Sequence, residues 1–244
     1  MADIVKHKFN ELLHFVFPKN CFEELILNLN IFHQECVPLV ASRAIGLAIT
    51  AGAMFLFIPQ ILKIQRARSA EGISLISMLL GLVPALGTCA YSYEKQFVFS
   101  QYGDSVFVAI QMSIIVMQIL YFSDNAPYAF AFMATMWAIV CAIMYHYIPF
   151  NVLYGIQAAG IPFIIVSKGI QILANYRNQS TGQLAFITVA LQFGGCLARI
   201  FTSLTETDDR LVLFVYLVAS ALNGIVFAQF FMYWGNKTRK QKKA

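Results

Sequence analysis

The chain has 244 residues, of which 59% are hydrophobic and only 12% are charged, with a formal net charge of +5. A soluble domain carries about 25% charged residues, so this balance, with a mean hydropathy of +0.67, excludes an ordinary soluble globule. It also excludes disorder, which needs low hydrophobicity and high net charge, and five cysteines are too few for a disulfide scaffold.

A membrane protein of several spanning helices remains, since each span needs about 20 residues. In chain order, residues 1–43 read as an N-terminal lumenal or interfacial segment. Charges at Lys6, Lys8, Glu11, Lys19, Glu23 and Glu24 interrupt every apolar run there, so no signal peptide is expected. Cys21–Leu27 has the pattern of an amphipathic helix resting on the bilayer surface, docking to a partner being the other reading. Seven apolar stretches follow: Ala44–Leu62, Ile73–Tyr93, Ser105–Phe122, Ala126–Ile148, Val152–Ala174, Leu184–Leu204 and Leu211–Trp234. They are too long for barrel strands and lack period-two alternation, so they are expected to be helices. A basic tail, residues 235–244, closes the chain.

Topology follows from Lys and Arg near the span ends. One side collects Lys6, Lys8, Lys19, Arg43, Lys95 and Arg210; the other collects Lys63, Arg66, Arg68, Arg177, Lys237, Arg239, Lys240, Lys242 and Lys243. The excess places the C-terminus in the cytosol and, across seven spans, the N-terminus in the lumen. The acceptor sequons at Asn178 and Asn236 then face the cytosol and are expected to stay bare. Cys21 and Cys36 would meet an oxidising lumen, which leaves a bridge between them open; Cys89, Cys141 and Cys196 are expected to be packing residues.

The chain repeats itself at an offset of 111 residues. Gln60-Ile61-Leu62 falls on Gln171-Ile172-Leu173, Arg66 on Arg177, Ser69 on Ser180, Ser92 on Ser203 and Gln118 on Gln229. Residues 44–122 and 152–234 are therefore two three-helix units, and residues 126–148 are a lone connecting helix. An odd connecting helix makes the two triplets parallel, an architecture known among transporters. The expected fold is all-α, with seven transmembrane helices arranged 3+1+3.

Pro59-Gln60-Ile61-Leu62-Lys63-Ile64, followed by Arg68-Ser69-Ala70-Glu71-Gly72-Ile73-Ser74, resembles the PQ-loop repeat of SWEET sugar facilitators and cystinosin-type transporters. The second copy, from Ile170-Gln171-Ile172-Leu173 through Asn178-Gln179-Ser180-Thr181-Gly182-Gln183-Leu184, lacks the proline. Asn175-Tyr176, Thr181–Leu184 and the run Phe193–Ser203 resemble more narrowly the branch of that family required for mannose-P-dolichol utilization. The resemblance implies an endoplasmic reticulum protein needed for using dolichyl-phosphate mannose and glucose as lumenal donors in N-glycosylation, GPI-anchor synthesis and mannosylation. It implies handling or translocation of the lipid-linked sugar. A non-transporting accessory of lumenal glycosyltransferases, and a facilitator of small sugars, are the alternatives. Membrane lipid and dolichyl-phosphate sugars are the expected partners, with no nucleic acid, and no enzyme activity, metal or cofactor is expected.

Pro59, Pro84 and Pro162 remove backbone donors inside expected helices and mark kinks or hinges. Gln60 and Gln171 read as cross-helix hydrogen-bonding amides or as contacts to a head group. Asn223 lies mid-span, where SWEET-like facilitators face an asparagine to substrate, but its repeat mate is Met112. Arg199, deep in the sixth span, reads as snorkelling to the lumenal surface or as a phosphate clamp, and Lys168 as snorkelling to the cytosolic surface or as a head-group contact. Arg66 and Arg177 are repeat-related guards of the cytosolic mouth. All twelve carboxylates fall in loops, the N-terminal segment or span ends, so a buried proton relay and a carboxylate metal site are not expected. Lys240 and Lys242 fit a dilysine retrieval signal.

Overall fold

A computed structural model describes residues 16–18, 21–30, 32–123, 126–181 and 186–233. The tail lysines Lys240 and Lys242, the sequon at Asn236 and most of Thr181–Leu184 lie outside the described residues. All extended regular structure described is α-helical: α1 Cys36–Phe55, α2 Ile58–Ala67, α3 Leu75–Glu94, α4 Gly103–Phe122, α5 Ala126–Met144, α6 Phe150–Asn178, α7 Phe186–Glu206 and α8 Arg210–Met232. With α1 and α2 taken as one span, Cys36–Ala67, seven segments are long and apolar enough to cross a membrane.

Two boundaries moved for identifiable reasons. The first span begins at Cys36 rather than Ala44, because the charge of Arg43 is met inside the fold: its Nε lies 3.5 Å from Glu206 Oε2. Ser42 Oγ donates to the other carboxylate oxygen of Glu206 at 2.6 Å. The fifth span runs on to Asn178 rather than Ala174, closing on Gln179 in the left-handed region (φ 48°, ψ 35°).

The chain divides into two compact units. One contains the residues up to Tyr147 with Thr205–Thr207; the other contains Ile148–Leu204 and the chain from Asp208 on. In the first unit α4 is central and packs on α1, α2, α3 and α5. The connecting helix α5 therefore belongs with the first triplet rather than standing alone. Leu82, Ala85, Ala109 and Met136 form one buried cluster; Ile64, Ile115 and Ile119 form a second. The ends of α3 and α5 are tied where His146 Nδ1 meets Glu94 Oε2 at 2.7 Å and its ring stacks on Tyr93. A single π-helical turn, Glu23–Leu27, precedes α1, and a disulfide between Cys21 and Cys36 fastens it to the start of that helix.

In the second unit α6 packs on α8. Rings join α7 to α8: Phe186 meets Phe227, Phe230 and Phe231, and Phe193 stacks on Phe227. Val189, Val226 and Phe230 are the buried core between them, with Ile172 of α6 against it.

The prolines behave differently from one another. Pro59 sits in the first turn of α2, after a break at Leu56–Phe57, so the first span is two helices. Pro84 and Pro162 lie inside continuous helices, α3 and α6.

Close approach fixes one glycine. A short 3₁₀ turn, Phe99–Gln101, packs on α1, and a Cβ built on Gly46 would stand 2.4 Å from the Ser100 carbonyl oxygen. Backbone cannot yield as a flexible side chain can, so Gly46→Ala should destabilise the first unit by about 1–3 kcal/mol, the usual cost of overpacking. Thermal unfolding of the purified variant in detergent, read against wild type, checks this.

Candidate functional site

The glutamines of the PQ pair were expected to be cross-helix amides or contacts to a head group. Both Gln60 and Gln171 are half-buried, and among the described residues neither side chain makes a hydrogen bond. That role falls to the third helix of each triplet. Gln118 Nε2 donates to the Ile61 carbonyl at 3.3 Å, and Gln229 Nε2 donates to the Ile172 carbonyl at 3.0 Å. Donor and acceptor both shift by 111 between the two bonds, so the internal repeat is structural. Each amide has a second partner: Gln118 Nε2 also donates to Gln65 Oε1 at 3.1 Å, and Gln229 Oε1 accepts from Asn175 Nδ2 at 2.9 Å. The helix ends repeat as well. Arg68 (φ 47°, ψ 33°) and Gln179 (φ 48°, ψ 35°), again 111 apart, close α2 and α6 in the left-handed region. Arg66 and Arg177 occupy the last turns of these helices, exposed.

On this symmetric frame one polar cluster has no counterpart at the repeat-related positions. In the second unit Lys168 Nζ of α6 donates to Gln192 Oε1 of α7 at 3.0 Å. One turn along α7, Cys196 Sγ accepts from Asn223 Nδ2 of α8 at 3.5 Å. The same Nδ2 donates to the Ala219 carbonyl at 2.9 Å. Asn223 is buried, and its Oδ1 has no hydrogen-bond partner among the described residues. Arg199 follows Gln192 and Cys196 at i+7 and i+3 on α7, so the three share a face. At 4% relative exposure Arg199 is enclosed by protein rather than extended to an interface, and it is not without a partner.

Lys168 and Asn223 are thus brought into one cluster through Gln192 and Cys196. No carboxylate among the described residues lies within ion-pair reach of Lys168. Its nearest polar partner is a neutral amide, which leaves the ammonium charge uncompensated.

The repeat-related positions in the first unit are Phe57, Gly81, Ala85, Thr88 and Met112, in place of Lys168, Gln192, Cys196, Arg199 and Asn223. Gly81 is filled by its neighbour: an added Cβ would meet Met112 Cε at 2.8 Å. The first unit packs apolar atoms where the second gathers charge and hydrogen-bonding groups. Among the described residues no cluster of His, Cys, Asp or Glu has the makings of a metal site.

Comparison with known proteins bears on the repeat directly. The family model for the PQ loop repeat matches twice, at residues 41–101 and 152–212. These windows cover half the chain and are themselves 111 residues apart. The chain belongs to the PQ-loop repeat family. It is also 28% identical over 170 residues to human solute carrier family 66 member 3, an alignment covering 68% of this chain and 81% of that relative. No solved structure matches. Family and fold together describe a multi-pass membrane protein whose relatives are of the transporter type.

Sequence reasoning picked out Lys168, Asn223 and Arg199 but missed Gln192 and Cys196. The signal was present, because Gln192, Cys196 and Arg199 at i, i+4 and i+7 mark one helix face. The amide anchors give a test of the repeat. Gln118→Leu and Gln229→Leu should each cost about 0.6–2 kcal/mol. The losses should add, since the two bonds lie in separate units with no shared partner. Unfolding of the two single variants and the double variant in bicelles measures both quantities.

Proposed function

We propose that this chain is a transport-type protein of the endoplasmic reticulum membrane that handles dolichyl-phosphate mannose, and its glucose counterpart, moving or exposing the sugar-phosphate head group for lumenal glycosylation. The observation that carries the reading is the polar cluster of the second unit, Lys168 with Gln192 and Cys196 with Asn223, which the first unit lacks. A phosphodiester has one negative charge, and placing it in a low-dielectric bundle is costly without a cation. Lys168 supplies an uncompensated ammonium, and Asn223 Oδ1 is a buried acceptor suited to a sugar hydroxyl. Arg199 is a second cation, on the α7 face that carries Gln192 and Cys196. A polyprenyl tail needs no polar site and can remain in lipid.

A neutral sugar recognised symmetrically by both repeats fits less well, because Met112 and Phe57 stand where the second unit has Asn223 and Lys168. Similarity to a solute carrier favours movement of substrate over a purely accessory role beside glycosyltransferases. Similarity of Asn175-Tyr176 and Phe193–Ser203 to the mannose-P-dolichol utilization defect 1 protein supports the choice of lipid. A lumenal N-terminus is supported by the Lys and Arg asymmetry and by the Cys21–Cys36 disulfide, which suits an oxidising compartment.

Purified protein in liposomes carrying dolichyl-phosphate mannose should accelerate its transbilayer exchange over protein-free vesicles. Lys168→Met should lower affinity about tenfold to a hundredfold, as expected for losing a charged hydrogen bond. Exchange no faster than in empty vesicles would sink the transport reading.

A further inference from the structure

The first span is two helices, and what joins them is a side chain from another helix. Pro59 has no N–H, and its ring displaces the carbonyl four residues earlier, that of Phe55. Accordingly α1 stops at Phe55 and α2 starts at Ile58. In an unbroken helix the Phe57 N–H would donate to the Ala53 carbonyl. Instead, Gln111 of α4 stands between them. Its Oε1 accepts from Phe57 N at 2.8 Å, and its Nε2 donates to the Ala53 oxygen at 2.8 Å. The other Nε2 proton goes to the Phe107 carbonyl of its own helix at 3.0 Å. Gln111 is buried, and its amide takes the place of one main-chain hydrogen bond, donor for donor and acceptor for acceptor.

Nothing comparable occurs in the second repeat. There α6 runs unbroken from Phe150 to Asn178, and the positions related to Gln111 and Pro59 are Leu222 and Ile170. The break is therefore a property of the first unit alone. It falls at Phe57, the repeat mate of Lys168.

We propose that Gln111 is the positioning residue of a two-state joint in the first span. With the amide inserted, the span is bent. With the amide withdrawn, Phe57 N–H donates directly to the Ala53 carbonyl and the span straightens. Both main-chain groups keep a partner in either state. Withdrawal takes the Phe57 donor from Gln111 Oε1 while Nε2 keeps the Phe107 carbonyl, so the inserted state is the favoured one. That the joint moves during head-group transfer rests on the transport reading; the bond substitution does not.

The first arm of the test is a double-mutant cycle on the thermal midpoint of the full chain in nanodiscs. Gln111→Met keeps the length of the side chain but cannot bridge, and Pro59→Ala restores the donor and removes the ring. Gln111→Met should lower the midpoint in the wild-type background, and Pro59→Ala should cancel at least half of that loss, because an intact ladder no longer needs the amide. Equal losses in both backgrounds, or none in either, overturn the proposal. If Gln111→Met alone does not accumulate, the double variant must, and its failure overturns the proposal too.

The second arm reads the joint. Spin labels at Ala48→Cys and Arg66→Cys, both exposed, are placed in a chain with Cys89, Cys141 and Cys196 changed to Ser. A straight span separates these positions by about 27 Å, at 1.5 Å per residue. Wild-type Gln111 should give a shorter distance, and Pro59→Ala should shift it toward the straight value. An unchanged distance overturns the joint. Both structural results without lipid exchange by wild type would refute the transport reading and leave the joint standing.

Discussion

In a bilayer core there is no water to take up an unpaired backbone group, so every N–H and C=O must find its partner within the protein. In this chain three glutamines on the third helices of the triplets, two in the first and one in the second, meet that demand. Gln118 and Gln229 reach the carbonyls of Ile61 and Ile172, and Gln111 serves both sides of the break at Phe57. An amide is the side chain suited to this work because it donates and accepts without carrying a charge. Each of the three is buried, so each bond is made where a missing partner would cost most. The third helix of each triplet thereby anchors the first, and in the second unit α7 adds the bonds of Gln192 and Cys196.

The same frame carries different linings in the two units. Ile115 and Ile119 of the first unit correspond to Val226 and Phe230 of the second, and all four are buried. Ile64, equally buried, corresponds to Asn175, which instead hydrogen-bonds Gln229. The exchange of an apolar for a polar residue at a repeat position recurs at Phe57 and Lys168, Gly81 and Gln192, Ala85 and Cys196, and Met112 and Asn223, of which Asn223 is buried and Gln192 exposed. A repeat that binds a symmetric ligand has no reason to concentrate its polar groups in one half. The proposed ligand, an amphiphile with one small charged head, does.

The fold was legible because its signals are long. Each span is an apolar run near the length the bilayer imposes, and the repeat shows as polar identities at one offset. The ends were less legible, because hydropathy stops at a charge whether or not the fold neutralises it. Arg43 ended the expected first span, yet Glu206, 163 positions later, takes that charge. Composition gave no way to tell which prolines break a helix. Pro59, Pro84 and Pro162 look alike in sequence, and only Pro59 has an amide from another helix, Gln111, waiting at the freed groups. The same limit applied to Gln60 and Gln171, singled out by the motif. A glutamine's role depends on which carbonyl faces it, and the carbonyls lie on helices distant in sequence.

The balance of donors and acceptors around Lys168 narrows what the second unit is built to hold. A cation in an apolar bundle is tolerated when a carboxylate or a shell of carbonyls compensates it, and among the described residues Lys168 has only the Gln192 amide oxygen at 3.0 Å. Asn223 is under-satisfied in the opposite sense: among the described residues Nδ2 donates to Cys196 and Ala219, while Oδ1 is left to accept. A bare anion would answer Lys168 but leave Asn223 Oδ1 without a donor. A neutral sugar would answer Asn223 but leave the half-buried ammonium without an anion. A ligand that carries an anionic oxygen beside a hydroxyl answers both at once, and a sugar joined to a phosphodiester is the simplest head group with that pairing.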